Sequence, residues 1–266
     1  MTISMSGKRG LVMGVANERS IAWGIAQALH EAGAELAFSY QGEQLKRRVE
    51  PLMAGIGSDI LVEADVTDDA SLDAAFATLA ERWGTIDFLV HAIAFSDKSE
   101  LAGRFCDTSR ANFQTSLNVS CYSFIDVSRR AAALMPDGGS LITLTYQGSQ
   151  KVIPFYNVMG VAKAALESAT RYLANDLGPQ GIRVNAISPG PMKTLAGAAV
   201  TGARRTFKHA ETNAPLRANA TLAAVGGTAV WLCSDAGAFT SGEVVHVDGG
   251  YHIIGMPRPD MMPPAT

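Results

Sequence analysis

A tyrosine and a lysine lie seven residues apart in the segment YNVMGVAK, which runs from Tyr156 to Lys163. On an α-helix, seven residues turn through about 700°, so both side chains would share one face, about 10.5 Å apart along the axis. A phenol can donate a hydrogen bond to an oxygen that becomes anionic, and a nearby ammonium group favours the same negative charge. The spacing therefore predicts a helical site that stabilises a developing anion.

A second tyrosine, Tyr146, ends the apolar run SLITLTY upstream of Tyr156. In open α/β sheets, reactive groups gather at the carboxyl ends of the strands, which is where Tyr146 would stand. For each tyrosine taken alone, simple packing with a locally bonded hydroxyl is the commoner role. The combination of Tyr146, Tyr156 and Lys163 instead indicates a catalytic constellation.

Seven apolar runs of β type alternate with helical patterns along the chain. The runs are RGLVMG, AELAFSY, DILVEAD, IDFLVHAIA, SLITLTY, IRVNAIS and EVVHVDGG. Most are continuous rather than alternating, as expected for strands that helices cover on both faces. The helical patterns include SIAWGIAQALHEAG, DASLDAAFATLAERWG and NVMGVAKAALESATRYLANDLG. This alternation predicts right-handed βαβ crossovers and an α/β fold of Rossmann type, with a doubly wound, parallel, seven-stranded sheet.

The 266 residues are 47% hydrophobic and contain no linker, low-complexity tract or repeat, which favours one domain over residues 1–254. The proline-rich residues 255–266 form a tail that we expect to be irregular or packed on a neighbouring subunit. A net charge of −3 gives no reason to expect a nucleic-acid partner. No apolar run reaches the roughly 18 residues of a membrane span, and the N-terminus lacks the apolar core of a signal peptide.

The chain contains three cysteines, Cys106, Cys121 and Cys233. They form neither a C-x-x-C pair nor a spacing typical of metal ligands. We interpret them as buried, reduced thiols, which suits the cytoplasm.

The first predicted strand leads through GVANERSIAWGIA into a helix. Gly14 permits a tight turn, and the helix start at Ser20 and Ile21 offers free backbone N–H groups to a pyrophosphate. The segment does not match the G-x-G-x-x-G fingerprint of dinucleotide-binding proteins, so by itself it is weak evidence for a cofactor.

The second strand ends at Gln41, without the acidic residue that grips the ribose 2′-hydroxyl in many NAD enzymes. Gln41 can bond that hydroxyl as a neutral group. The cations at residues 46–48 could meet a 2′-phosphate, but their helical spacing fits a solvated face better, so the sequence favours NADH over NADPH. Asp65 and Val66 end the third strand where they can flank an adenine, and Thr67 or Asp68 is the better candidate for the next helix cap.

Several segments together resemble one family. The segments GVANERSIAWGIA, YNVMGVAKAALE, GIRVNAISPGPMKTLA and SGEVVHVDGG, with the spacing Tyr146-x9-Tyr156-x6-Lys163, are similar to the NADH-dependent enoyl-acyl-carrier-protein reductases of bacterial fatty-acid synthesis, a divergent branch of the short-chain dehydrogenase/reductases. The resemblance covers about residues 4–254. Its specific parts are the Tyr-x6-Lys spacing and the Ser-Ile-Ala loop, whereas NAISPGP and VDGG mark only the wider superfamily.

The resemblance implies reduction of the trans-2 double bond of enoyl thioesters by NADH, an acyl carrier protein as partner, a homotetramer and a cytoplasmic location. It implies catalytic roles for Tyr146, Tyr156 and Lys163, and substrate contacts for Ser96 and the two tyrosines. The cofactor contacts that it implies are Gly14, Ser20, Ile21, Gln41, Asp65, Val66, Ile93, Lys163, Met192, Lys193, Thr194, Leu195 and Ala196.

A segment at about residues 192–212 is expected to form a mobile helix that covers the acyl pocket as a lid. Its Arg204, Arg205 and Lys208 are placed to meet the acidic surface of an acyl carrier protein, although a solvated basic face explains them equally well. The fourth strand ends HAIAF where the family usually has HSIGF. Ala94 thus adds a methyl group near the expected cofactor site, which leaves inhibitor sensitivity open.

Two other functions stay open at the level of sequence. A carbonyl- or alcohol-reducing short-chain enzyme would need Tyr-x-x-x-Lys, but Gly160 stands four residues after Tyr156. A regulator that binds NADH without turnover would not need Tyr146, Tyr156 and Lys163 together. Turnover of enoyl and of ketoacyl thioesters discriminates among the three.

Overall fold

Seven parallel strands form a single sheet in the computed structural model, which describes residues 3–194 and 202–258. In the order β3-β2-β1-β4-β5-β6-β7, each neighbouring pair runs parallel. The strands are β1 (Arg9–Met13), β2 (Glu35–Tyr40), β3 (Ile60–Glu63), β4 (Phe88–His91), β5 (Gly139–Leu144), β6 (Ile182–Pro189) and β7 (Val244–Val247). The predicted Rossmann-type sheet is confirmed.

Helices connect the strands and cover both faces of the sheet. Those in the described ranges are α1 (Ile21–Glu31), α2 (Gly42–Gly55), α3 (Asp69–Trp83), α4 (Lys98–Leu101), α5 (Arg110–Leu117), α6 (Ser123–Ala132), α7 (Val158–Leu177), α8 (Ala203–Asn213) and α9 (Leu222–Cys233). A π-helical turn, Asn118–Tyr122, joins α5 to α6. None of the helices in this part of the chain has the length and apolar content of a transmembrane span.

Two apolar cores lie on opposite faces of the sheet, which explains the continuous apolar runs in the sequence. On one face, α1, α2 and α9 pack against the strands. On the other face, α3, α6 and α7 do so. The central strands β1 and β4 contribute to both cores and are almost entirely buried. The sheet is therefore a rigid support for the loops at its carboxyl edge.

Two glycines bring α1 and α9 into close contact. A Cβ atom on Gly24 would lie 2.7 Å from the Cβ of Leu222, and one on Gly226 would lie 2.6 Å from the Cβ of Ala28. Real side chains do not approach so closely, so larger residues here would push the helices apart. This contact fixes the start of α1, which borders the candidate site.

The order of the strands reverses between β1 and β4, because β1 connects onward to β2 on one side and β4 to β5 on the other. Ligands of doubly wound sheets bind outside the carboxyl ends of the strands at such a point. The loop after β1 and the loop after β4 meet there, and the segment after β5 follows beside them.

One expectation is corrected outside the sheet, and another is described only in part. Cys121 and Cys233 are buried thiols as expected, but Cys106 is exposed, because it lies in a short surface 3₁₀ turn rather than in a packed helix. The lid segment is helical only at residues 203–213 in the described part of the chain. Residues 192–194 are irregular, and residues 195–201 lie outside the described residues.

Candidate active site

Gly14 follows β1 and has a backbone φ of 97°, which residues other than glycine rarely adopt. A Cβ atom at this position would lie 2.1 Å from the backbone oxygen of Ala92, which follows β4. Only glycine allows the two loops to touch. This contact shapes the floor of a groove at the point where the strand order reverses.

Ser20 closes the loop between β1 and α1. Its buried hydroxyl accepts hydrogen bonds from the backbone N–H groups of Ala16 and Asn17, each at 3.0 Å. Its side chain makes no capping bond to α1, which begins at Ile21. The first N–H groups of a helix lack partners within the helix and attract anions. The loop thus presents a helix start to the groove, as the sequence predicted for a pyrophosphate.

Gln41 and Asp65 meet at the ends of β2 and β3, where the amide of Gln41 donates to the Asp65 carboxylate at 2.9 Å. The same carboxylate accepts bonds of 2.8 and 2.7 Å from the N–H and hydroxyl of Thr67. Burial opposes ionisation of Asp65, but the bonds from Thr67 and Gln41 outweigh it and lower the pKa of this carboxyl. Asp68, rather than Asp65, caps α3. The ionised Asp65 carboxylate therefore lies in a fixed position at the end of β3, where the sequence analysis expects the adenosine part of a cofactor.

A cavity of about 240 Å³ lies between the start of α1, the segment after β6, α8 and the start of α9. Arg19 and Lys193 line it with two positive charges, together with Met192 and Thr194. Lys193 also lies over the ring of Phe207, with its nitrogen 4.6 Å from the ring centroid. Sequence reasoning missed Arg19, although a cation beside a helix start was a usable signal. The cavity and its charges suit a bound pyrophosphate.

Tyr156 lies in the turn before α7 and not on the helix, so the predicted shared helical face of Tyr156 and Lys163 is wrong. The helix begins only at Val158. Phe155 and Asn157 on either side of the tyrosine have positive φ values of 62° and 37°, which interrupt the helical path. The side-chain amide of Asn157 donates to the backbone oxygen of Gly103 and, at longer distances, to those of Glu100 and Leu101 at the end of α4. These bonds hold the turn.

The two tyrosines nevertheless come together. Their rings contact edge to face, with centroids 5.1 Å apart and an interplanar angle of 70°. Burial raises the pKa of Tyr146 to about 12, and burial also raises the pKa of Tyr156, with a contribution from the charge of Glu167. Both phenols therefore stay protonated at neutral pH and serve as hydrogen-bond donors.

Lys163 is buried on α7, and its ammonium group donates to the backbone oxygen of Leu144, the last residue of β5, at 2.7 Å. Burial lowers the pKa of Lys163 to about 8, while Cys121 and Glu167 act in the opposite direction. Buried His91 beside it remains neutral, because burial and the charge of Lys163 lower its pKa to about 3. Lys163 thus combines a fixed position with a charge that is sensitive to pH.

Ser96 follows β4 in a buried polar cluster. Its hydroxyl donates to the side-chain oxygen of Asn112 at 3.2 Å and accepts from Ser116 at 3.0 Å. Ile93 and Val66 are half-buried and pack against the core beneath the edge of the sheet. The structure therefore places the described site residues along one carboxyl edge, whereas Leu195 and Ala196 lie outside the described residues.

The residues at this edge fit a dinucleotide. Along the sheet there follow a close contact of two loops that only glycine allows, a helix start without a side-chain cap, two cations and an ionised carboxylate.

Glu167, one helical turn after Lys163, was also missed by sequence reasoning. Its buried position among the apolar residues of α7 was visible as an i, i+4 pair with Lys163 on the packed face.

Comparison with known proteins finds similarity along nearly the whole chain. The family model described as enoyl-(acyl carrier protein) reductase matches residues 14–252. The chain is 58% identical to enoyl-[acyl-carrier-protein] reductase [NADH] 1 of Rhizobium meliloti, over 96% of this chain and 94% of that protein. It is 48% identical to the corresponding NADH-dependent reductase of Escherichia coli, over 95% and 97% of the two chains. A crystal structure of the reductase from Anaplasma phagocytophilum in complex with NAD superposes with a TM-score of 0.94 at 52% identity, over 97% and 98%.

Proposed function

The chain belongs to the enoyl-(acyl carrier protein) reductase family, and we propose that its reaction centre consists of Tyr146, Tyr156 and Lys163. It is an NADH-dependent reductase of enoyl-acyl-carrier-protein, and thus an oxidoreductase of fatty-acid biosynthesis. The observation that carries this assignment is the contact of the two protonated phenols beside the end of β5, to which Lys163 is bonded. The cofactor contacts are those predicted from the sequence, with Arg19 added.

NADH, when bound, supplies a hydride to the β-carbon of the trans-2-enoyl thioester. Lys163 binds the ribose next to the nicotinamide, and its charge favours the anion that develops nearby. Gly14, Ser20 and Ile21 receive the pyrophosphate, and Gln41, Asp65 and Val66 receive the adenosine. Ile93 and residues 192–196 complete the binding of the cofactor.

Tyr156 acts on the thioester oxygen. As the β-carbon is reduced, negative charge moves to this oxygen, and the phenol of Tyr156 donates a hydrogen bond to the resulting enolate. Because the pKa of Tyr156 is raised, the phenol remains a donor at the pH of the reaction. Tyr146 holds the ring of Tyr156 and lies beside the acyl chain, which Ser96 also contacts. The α-carbon of the enolate then takes up a proton from solvent, directly or through a relay.

The loss of NADH absorbance tests the reaction. We expect turnover with crotonyl-coenzyme A and none with acetoacetyl-coenzyme A at matched concentrations. Turnover of the ketoacyl thioester alone would favour the carbonyl-reducing alternative, and binding of NADH without turnover of either would favour the regulator.

The acyl carrier protein docks on the basic face of α8 in this proposal. Arg204, Arg205 and Lys208 are exposed on that helix, next to the cavity, although Lys208 also pairs with Glu211 at 2.8 Å. Opposite charges on two partners steer their association.

We expect that changing Arg204 and Arg205 to Glu raises KM about tenfold for a carrier-bound enoyl substrate, because like charges then face each other. KM for crotonyl-coenzyme A should hardly change, because this small thioester needs no docking surface. Initial rates with both substrates measure the difference. The matched control reverses Arg47 and Arg48 on α2, away from α8. An equal rise in KM for both substrates would argue against docking on α8.

The assembly is a homotetramer in this proposal, as the family resemblance implies. Large apolar side chains stand exposed on neighbouring helices of one face, which supports burial against a second copy; they are Phe113, Tyr122, Ile125, Val161 and Tyr172. Light scattering should give four times the chain mass of 28.0 kDa, and a monomer mass would refute this.

Residues 1–254 form the catalytic domain in this proposal, with the lid segment at about 192–212 and the tail at 255–266. The described start of the tail packs near the lid, where the backbone N–H of Arg258 donates to Asn213 at 2.9 Å. The proposed location is the cytoplasm, where the three unpaired thiols remain reduced.

A further inference from the structure

A buried carboxylate on α7, that of Glu167, accepts hydrogen bonds from the segment that carries Tyr146. One oxygen of Glu167 accepts hydrogen bonds from the hydroxyl of Thr145 at 2.7 Å and from the hydroxyl of Ser149 at 2.5 Å. Glu167 and Thr145 are 6% and 3% exposed, so water does not compete for these bonds. Residues 145 and 149 flank Tyr146 on both sides, which fixes the turn between them.

Lys163 holds the same segment from one helical turn earlier, through its bond to the backbone oxygen of Leu144. Two side chains of α7 with opposite charge, Lys163 and Glu167, therefore hold residues 144, 145 and 149 by hydrogen bonds. The sequence between these points contains the short 3₁₀ turn Gln147–Ser149 and the phenol of Tyr146. The position of that phenol is thus set by Glu167 and Lys163 together.

The turn held by Glu167 also packs closely against Tyr156, and two glycines make this close packing possible. A Cβ atom on Gly148 would lie 2.5 Å from the ring of Tyr156, and one on Gly160 would lie 2.7 Å from the backbone oxygen of Gly148. The turn that Glu167 fastens is thus pressed between the start of α7 and the ring of Tyr156. A displaced turn would move both phenols.

Glu167 also acts through its charge. The titratable groups that face Lys163 are Cys121 from the π-helical turn, His91 from β4 and Glu167 from its own helix. Cys121 and His91 are uncharged at neutral pH, since burial raises the pKa of Cys121 and lowers that of His91. Among these groups, Glu167 is therefore the anion that favours the protonated form of Lys163.

We propose that Glu167 is a positioning residue of the reductase, which aligns Tyr146 and Tyr156 through its bonds to Thr145 and Ser149 and places a negative charge one helical turn from Lys163. This inference rests on the proposed roles of the two tyrosines and Lys163. It has two separable parts, because a glutamine keeps the oxygen that accepts both hydroxyls but loses the charge, whereas removing the hydroxyls keeps the charge.

The positional part is tested with the double variant Thr145→Val, Ser149→Ala. We expect kcat to fall about tenfold at every pH, because small misplacements of reacting groups are costly. The pH at which kcat/KM declines should match that of the parent. The control Thr170→Val removes a buried hydroxyl of α7 that bonds only Leu166 within its own helix, and it should keep the parental kcat.

The electrostatic part is tested with Glu167→Gln. For the parent, kcat/KM should decline as pH rises through about 8, since this ratio reports the free enzyme and the proportion of charged Lys163 falls there. Without the anion, the pKa of Lys163 falls further, so the decline should begin at lower pH. At pH below both declines, kcat should stay near the parental value. The control Glu81→Gln on the exposed face of α3 should leave the whole profile unchanged.

Thermal unfolding of each variant and circular dichroism show whether it is folded at the assay temperature. A parental kcat in the folded double variant, or a parental pH profile in folded Glu167→Gln, overturns the proposal. If instead the parent enzyme lacks enoyl turnover, or Tyr156→Phe leaves its rate unchanged, the proposed reaction centre fails and not the role of Glu167 alone.

Discussion

Replacing Tyr156 by Phe should lower kcat for crotonyl-coenzyme A about a hundredfold, because removing one donor from an oxyanion site typically costs about 3 kcal/mol of transition-state stabilisation. The ring and its edge-to-face contact with Tyr146 are kept, so the turn before α7 should retain its shape. The affinity for NADH should be unchanged, since the phenol acts on the thioester oxygen. Steady-state rates and a fluorescence titration of NADH measure the two quantities.

Tyr172→Phe is the matched control, since it removes a phenol from α7 more than two helical turns beyond Lys163 and keeps the aromatic ring at the proposed contact between copies. It should behave as the parent in both assays. A Tyr156→Phe enzyme with the parental kcat would show that this phenol does not stabilise the developing anion. A simultaneous loss of NADH affinity would show that it serves the cofactor instead.

Replacing Lys163 by Met should weaken NADH binding about a hundredfold, because the ammonium group that holds the ribose and favours negative charge is lost. Methionine keeps an unbranched stem at this buried position beside the end of β5. The kcat at saturating NADH should fall less than the affinity. Equilibrium titration with NADH and rates at several cofactor concentrations separate the two effects.

Lys8→Met, at the amino edge of the sheet where Lys8 pairs with Asp87, is the control for loss of one lysine charge. Its NADH affinity should equal that of the parent. Since removal of Lys163 leaves the buried oxygen of Leu144 without its donor, the thermal midpoint of the variant is measured alongside. Parental NADH affinity in folded Lys163→Met would refute the ribose-binding role.

The sheet and its helices were predictable from sequence because most strands are continuous apolar runs and helical patterns separate them. The positions of Gly14 and Asp65 followed from the same rule, since loops after parallel strands meet at one edge. The helical position of Lys163 was predicted correctly because this residue lies well inside α7, where helical periodicity holds.

The location of Tyr156 was not predictable from periodicity. Positive φ values at Phe155 and Asn157 cost of order 1–3 kcal/mol each and persist because surrounding contacts enforce them. For Asn157, those contacts come from residues 100, 101 and 103, far away in the sequence. The grip of Glu167 on Thr145 and Ser149 likewise depends on how close α7 packs to the end of β5, which local patterns do not encode.

The amide of Asn157 joins the turn of Tyr156 to the end of α4 and the residues just after it, through its bonds to backbone oxygens at residues 100, 101 and 103. The entropy lost in immobilising the phenol is thus spent once, when the chain folds, rather than in each catalytic cycle. A preorganised donor needs no rearrangement when the anion appears. Because of these bonds, a substitution that disorders the chain near α4 would also displace Tyr156, although no residue that contacts the substrate has been changed.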